Sequence, residues 1–136
     1  MGHIRHSAAC LRLFGDDLNP DTVSALLGAS PTYGSRKGDE QALGNGRMRL
    51  ERTGSWRLDA TRREPGNLEA QVFELLDRLT PNLQVWDELG KKYKIDLFCG
   101  IFMGSENDGL PLSHNALLAL GKRGIKLDLD IYDASE

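Results

Sequence analysis

The stretch "KLDLDIY" near the end of the chain puts two carboxylates, Asp128 and Asp130, two residues apart. On a strand, residues at that spacing share a face with Cβ atoms roughly 7 Å apart, so the pair could hold a divalent cation or divide acid and base roles. The same alternation turns Arg12, Arg57, Asp59 and Asp96 away from the apolar sides of their own strands. Cross-strand ion pairs account for all of these charges without any reaction, and the sequence favours that reading. The second candidate is "RKGD", where Arg36, Lys37 and Asp39 lie in a long glycine-containing segment. Loops of that length in a compact domain often bind something, although a tolerated insertion explains the segment equally well.

Other chemistries find less support. His3 and His6 are three apart, as metal ligands can be, but they lie near the start of the chain with no third ligand in view, so no metal site is expected. His114 follows a helix cap and reads as a solvated first-turn residue. Cys10 and Cys99 both sit inside apolar strand-like runs, where a thiol behaves as a small hydrophobe and no disulfide is expected. Neither lies at a helix start that would lower its pKa, and there is no G-x-S-x-G elbow. "GSRKG" and "GDEQALGNGR" match neither the phosphate-loop nor the dinucleotide pattern, so no cofactor is expected.

The elements that position these residues follow from periodicity. Ala8 to Phe14 reads as a strand, with Gly15, Asp16 and Asp17 as a turn. Asn19 and Pro20 then cap and begin a helix on which Val23, Leu26 and Leu27 are apolar and which Gly28 stops. Residues 29–46 read as a long loop. "RMRLER", Thr53 and Gly54, and "SWRLDA" read as a hairpin with one apolar face. Asn67 caps a helix carrying Leu68, Val72, Leu75, Leu76 and Leu79, and Thr80 with Pro81 starts another carrying Leu83, Trp86, Leu89 and Tyr93. "KIDLFCGIFM" is apolar on both alternations, as a central strand is. Ser113 caps a last helix through Leu117, Leu118 and Leu120, and "IKLDLDIYD" closes the chain as a strictly alternating strand. Trp56, Leu76, Leu97, Leu118 and Leu129 are the expected core.

This order predicts an α+β fold: a single-domain, two-layer sandwich over residues 1–136, with helices on one face of a largely antiparallel sheet. The first and last thirds share a strand-turn-helix layout that hints at a ferredoxin-like pairing of halves. Residues 1–7 are expected to form a flexible tail. The 136 residues are 40% apolar and 27% charged with a net charge of −3, the balance of a globular domain. No basic stripe suits a nucleic-acid backbone, no apolar run is long enough to span a bilayer, and the start does not read as a secretory signal, so no nucleic acid, no membrane and a cytoplasmic location are expected.

Five blocks carry a resemblance: "LRLFGDDLNPDTVSALLGASPT", "RKGD", "GSWRLDA", "DLFCGIF" and "GLPLSHNALLALGKRGIKLDLDIYD". In order and spacing the chain resembles the bacterial family known as domain of unknown function 4279. The resemblance implies an α+β fold and brings no catalytic residues with it. The leading expectation is a non-enzymatic factor of immunity or accessory type that binds another protein through the polar sheet face and the 29–46 segment, using Arg36, Lys37, Asp39, Asp128 and Asp130. A small hydrolase or metal-dependent enzyme built on Asp128 and Asp130 is the alternative, and a small-ligand sensor the third reading. Self-association is left open.

Overall fold

The computed structural model describes residues 2–134. In chain order they form β1 (Gly2–His3), β2 (His6–Gly15), α1 (Pro20–Leu27), β3 (Tyr33–Ser35), β4 (Glu40–Ala42), β5 (Met48–Leu50), β6 (Gly54–Asp59), α2 (Leu68–Leu76), α3 (Leu83–Lys92), β7 (Lys94–Phe102), β8 (Asp108–Gly109), α4 (His114–Lys122) and β9 (Lys126–Tyr132). The helices begin where polar side chains can satisfy free backbone donors. Asn19 accepts the Asp21 N–H at 3.0 Å, Asn67 the Ala70 N–H at 3.0 Å and Ser113 the Ala116 N–H at 3.1 Å. Gly28 ends α1 at φ +80°, a left-handed conformation that glycine adopts without strain. Only α3 starts later than expected: Asn82 is its cap, and Thr80 Oγ1 accepts the Asn82 N–H at 3.2 Å.

Five strands form the main sheet in the order β3-β6-β2-β7-β9. The first four pair antiparallel, whereas β9 runs parallel to β7 because α4 carries the chain back across the layer. This is the expected α+β architecture with a largely antiparallel sheet. The ferredoxin-like hint fails, since that arrangement places another strand between the two ends of each strand-helix-strand unit, and β7 and β9 are immediate neighbours.

One face of the sheet is covered by helices. Leu11 and Leu13 of β2, Trp56 and Leu58 of β6, and Ile95, Leu97, Cys99 and Ile101 of β7 are all buried there with Leu68, Val72 and Leu75 of α2 and Trp86 of α3. A polar bolt crosses this layer. Ser7 Oγ donates to Gln71 Oε1 at 2.7 Å, and Gln71 Nε2 donates to the carbonyls of Ser7 at 2.9 Å and Thr61 at 3.0 Å. Both side chains are fully buried, and the mutual bonds satisfy what burial would otherwise strand.

Four expectations need correction. Residues 2–7 are not a tail: they supply β1 and the start of β2, and Ile4 is buried, while Met1 lies outside the described residues. Residues 29–46 hold two short strands, β3 and β4. The expected hairpin is wrong as well, because β5 pairs with β4, and β6 is flanked on both sides by β2 and β3. Gly54 is therefore a strand residue opposite Gly15; a Cβ there would lie 2.6 Å from the Leu18 carbonyl oxygen and 2.7 Å from that of Gly15, so close approach, and not a turn, requires glycine. Trp56, Leu76 and Leu97 are buried as expected, but Leu118 is 53% and Leu129 39% exposed. At 3.6 residues per turn Leu118 points roughly opposite to the buried Ala116, and Leu129 belongs to an edge strand that α4 covers incompletely.

Candidate functional site

The other face of the sheet carries no helix. Odd-numbered positions of β2 point to the core, so Ala8, Cys10, Arg12 and Phe14 point outward, each partly exposed. Ser55, Arg57 and Asp59 of β6 and Asp96, Phe98, Gly100 and Phe102 of β7 join them. The β4–β5 hairpin overhangs one side of this face. Its base is tied by the Gly38 N–H to the Glu51 carbonyl at 2.8 Å and the Glu51 N–H to the Asp39 carbonyl at 2.8 Å. Tyr33 Oη donates to Glu51 Oε1 at 2.6 Å, and Arg49 Nη2 reaches Gln41 Oε1 at 2.6 Å and Glu51 Oε1 at 3.2 Å. The Tyr33 bond draws the Glu51 carboxyl below its ordinary pKa and raises that of the phenol, since both favour the charged acceptor with the neutral donor.

Arg12 and Arg57 stand directly opposite one another on β2 and β6, a juxtaposition of like charges that is unfavourable by itself. Aromatic rings separate and flank them. The Arg12 guanidinium lies 4.4 Å from the Phe98 ring centre and 5.1 Å from that of Phe14; the Arg57 guanidinium lies 5.4 Å from Phe14 and 5.9 Å from Tyr33. Ring faces are electron-rich, so a cation held over them is stabilised. Here the two arginines part company. Arg12 makes a two-pronged bond to Asp96, its direct cross-strand neighbour, at 2.8 and 2.7 Å, and that bond raises the arginine pKa further. Arg57 makes no ion pair and no side-chain hydrogen bond among the described residues, and its Nε is buried without an acceptor.

The expected ladder of cross-strand ion pairs is thus met at Arg12 and Asp96 and not at Arg57. Asp59 faces Cys10 across the strands, and the Cys10 thiol donates to the Leu11 carbonyl at 3.7 Å. Burial, with Asp59 next, pushes the Cys10 pKa to about 12, and burial likewise lifts Cys99 on the opposite face to about 12. Both thiols stay protonated near neutral pH, where a thiol is a poor nucleophile. Both are free cysteines.

The structure does not bring the predicted site residues together. Asp128 and Asp130 do share the open face, on the β9 edge beside Phe98 and Gly100. Asp130 Oδ2 accepts the Tyr132 hydroxyl at 2.6 Å, and Asp128 adds its charge weakly to the field on Arg12. Arg36, Lys37 and Asp39 lie past β3, beyond the opposite edge of the sheet. Asp39 Oδ2 accepts the Arg36 N–H at 2.7 Å and closes the turn that launches the hairpin, while Lys37 pairs with Asp16 at 3.2 Å. That exposed pair holds Asp16 below its ordinary pKa. Among the described residues, no three His, Cys, Asp or Glu side chains are grouped to hold a metal ion. His3 is exposed on β1, whereas His6 is buried and stacked on Phe102 at 4.0 Å, with Tyr132 stacked beyond it at 4.6 Å.

What sequence reasoning missed is the singular state of Arg57 and the rings around it. Its place between Trp56 and Leu58 shows that it faces away from the core, but its lack of a carboxylate depends on strand order. No helix among the described residues is long and apolar enough to cross a membrane. A family model described as "domain of unknown function (DUF4279)" matches residues 4–134. No curated protein and no solved structure matches the chain.

Proposed function

The chain belongs to the DUF4279 family, which comes with no assigned activity, and from the site alone we propose that it is a non-enzymatic binding domain whose open sheet face, with the β4–β5 hairpin, receives a carboxylate from a protein partner. One observation carries this reading: the Arg57 guanidinium is held over Phe14 and Tyr33 with no anion of its own. A cation fixed in this way loses little rotamer freedom on meeting a carboxylate, and arginine is, with tryptophan and tyrosine, among the residue types enriched as interface anchors. The hairpin adds apolar contact, because Met48 and Leu50 are 55% and 61% exposed beside it. An immunity or accessory role is the kind of task such a surface serves. The protonated thiols and the tie of Asp130 to the Tyr132 hydroxyl favour recognition over reaction.

The test is affinity capture from the cells that express the protein, run with wild type, Arg57→Glu and the Met48→Ser, Leu50→Ser double variant, followed by binding measurements on the purified partner. A partner that binds wild type stoichiometrically, and at least about tenfold more weakly to Arg57→Glu, supports the reading. A stoichiometric partner indifferent to all these changes places recognition elsewhere and overturns it.

A further inference from the structure

Two depressions on the open face share a wall. The first, of about 460 Å³, is lined by Arg12, Tyr33 and Arg57 among others; the second, of about 400 Å³, lies over Ala8 and Gly100 between Phe98 and Phe102. Cys10, Asp59 and Phe98 line both, so Asp59 marks the junction. The charged side chains here sort themselves by partner. Arg12 is matched by Asp96, Arg49 by Glu51, and Asp130 by the Tyr132 hydroxyl. Arg57, Asp59 and Arg62, which lines the second depression, form no ion pair among the described residues, and Arg57 and Asp59, two residues apart on β6, share a face.

We propose that this face captures the C-terminal residue of a partner chain, with its α-carboxylate on Arg57, its backbone N–H on Asp59 and a large apolar side chain in the slot over Ala8 and Gly100. The inference rests on the reading of the open face as the recognition surface and gives that surface a ligand. A bare carboxylate near Arg57 also meets the negative charge of Asp59. A terminal residue resolves the conflict, because it presents an acceptor and a donor separated by a single carbon. Small side chains at Ala8 and Gly100 keep the slot open, and the Phe98 and Phe102 rings wall it in apolar surface. Asp59 itself is exposed, so the chain leading to the captured residue leaves the face there without crossing the core. Chain-terminus capture by fixed polar groups is a known mode of peptide recognition.

The experiment uses the whole protein and a fluorescein-labelled Gly-Ser-Gly-Phe peptide, read by fluorescence anisotropy. The peptide with a free C-terminal carboxylate is expected to bind about tenfold or more tightly than its C-terminal amide. Arg57→Ala should abolish that preference, Asp59→Asn should weaken the free-acid peptide a few-fold, and Ala8→Leu, which fills the slot, should weaken it while leaving Gly-Ser-Gly-Gly unaffected. Circular dichroism of each variant checks folding, and the acid-amide comparison on wild type needs no variant. Equal binding of acid and amide, or no binding up to about 1 mM, overturns the proposal. So does saturable binding of free phenylalanine by isothermal titration calorimetry with no binding of the peptide, which would assign the site to a small zwitterion. A lysate partner that depends on Arg57 but does not end in a free apolar residue sinks this inference and leaves the broader binding role standing.

Discussion

The two faces of β2 differ in kind although they alternate along the same ten residues. On the helix-covered side, Ser7, Ala9, Leu11 and Leu13 are all buried, and every polar atom of Ser7 and Gln71 finds a partner within the layer. On the open side, Arg12 and Phe14 hold their positions by stacking and by one ion pair, and the neighbouring strand presents a cation with none. The first face is complete in the isolated chain. The second keeps its geometry by stacking and leaves charged groups, Arg57 foremost, without an ion pair among the described residues.

The difference is broken most severely from the covered side. Leu13 is fully buried, so Leu13→Ala should lower the free energy of unfolding by about 2–5 kcal/mol in urea denaturation, depending on how far the cavity collapses. A loss below about 1 kcal/mol would mean that β2 is not the centre of the packed layer. On the open side the largest effect belongs to Arg12. Its removal leaves Asp96, only 18% exposed, without its cation, and Arg12→Ala should cost about 1–3 kcal/mol by the same measurement.

A smaller, pH-dependent effect marks the border of the two faces at His6. Burial first, then Arg62 and Arg5, lowers its pKa from the ordinary 6.5. The unfolded chain therefore binds this proton more readily, so the stability His6 contributes is present above about pH 6.5 and is lost as pH falls through the folded value. Thermal melts should show a steeper fall in Tm between about pH 7 and pH 5 for wild type than for His6→Phe, which keeps the ring stack. Parallel curves would remove His6 from the account. The smallest expected change is at Arg57: Arg57→Ala should alter stability by less than about 1 kcal/mol, because only stacking is lost. A large destabilisation there would make Arg57 a structural strut and end its claim to be a waiting anchor.

The covered face was also the legible one. Caps at Asn19, Asn67 and Ser113, the glycine stop at Gly28 and the two-sided apolar run of β7 are local signals, and local physics decides them. Thr53 and Gly54 misled because a glycine between two alternating segments reads as a turn, whereas its role is set by the Gly15 and Leu18 backbone across the sheet. Leu129 misled for a related reason, since strict alternation says which side is apolar and not whether a helix lies over it. The anion-poor state of Arg57 was beyond sequence reasoning altogether. It depends on which strand lies opposite, and the residue found there is another arginine.

The buried amide of Gln71 does more than fill its own hydrogen bonds. A slip of β2 by two residues against α2 would keep every side chain on its proper face, which makes it the misfolding that hydrophobic patterning alone opposes least. Such a slip would carry the Ser7 hydroxyl away and leave the fully buried Gln71 Oε1 without its donor, at about 1–3 kcal/mol, while Nε2 keeps the Thr61 carbonyl. The same slip would displace Phe14 and Arg12 by one full rung relative to α2 and the core beneath it. Gln71 thus acts as an index mark for alignment: a hydrogen bond within the covered layer fixes where, on the reverse of the sheet, each cation and ring of the open face comes to stand.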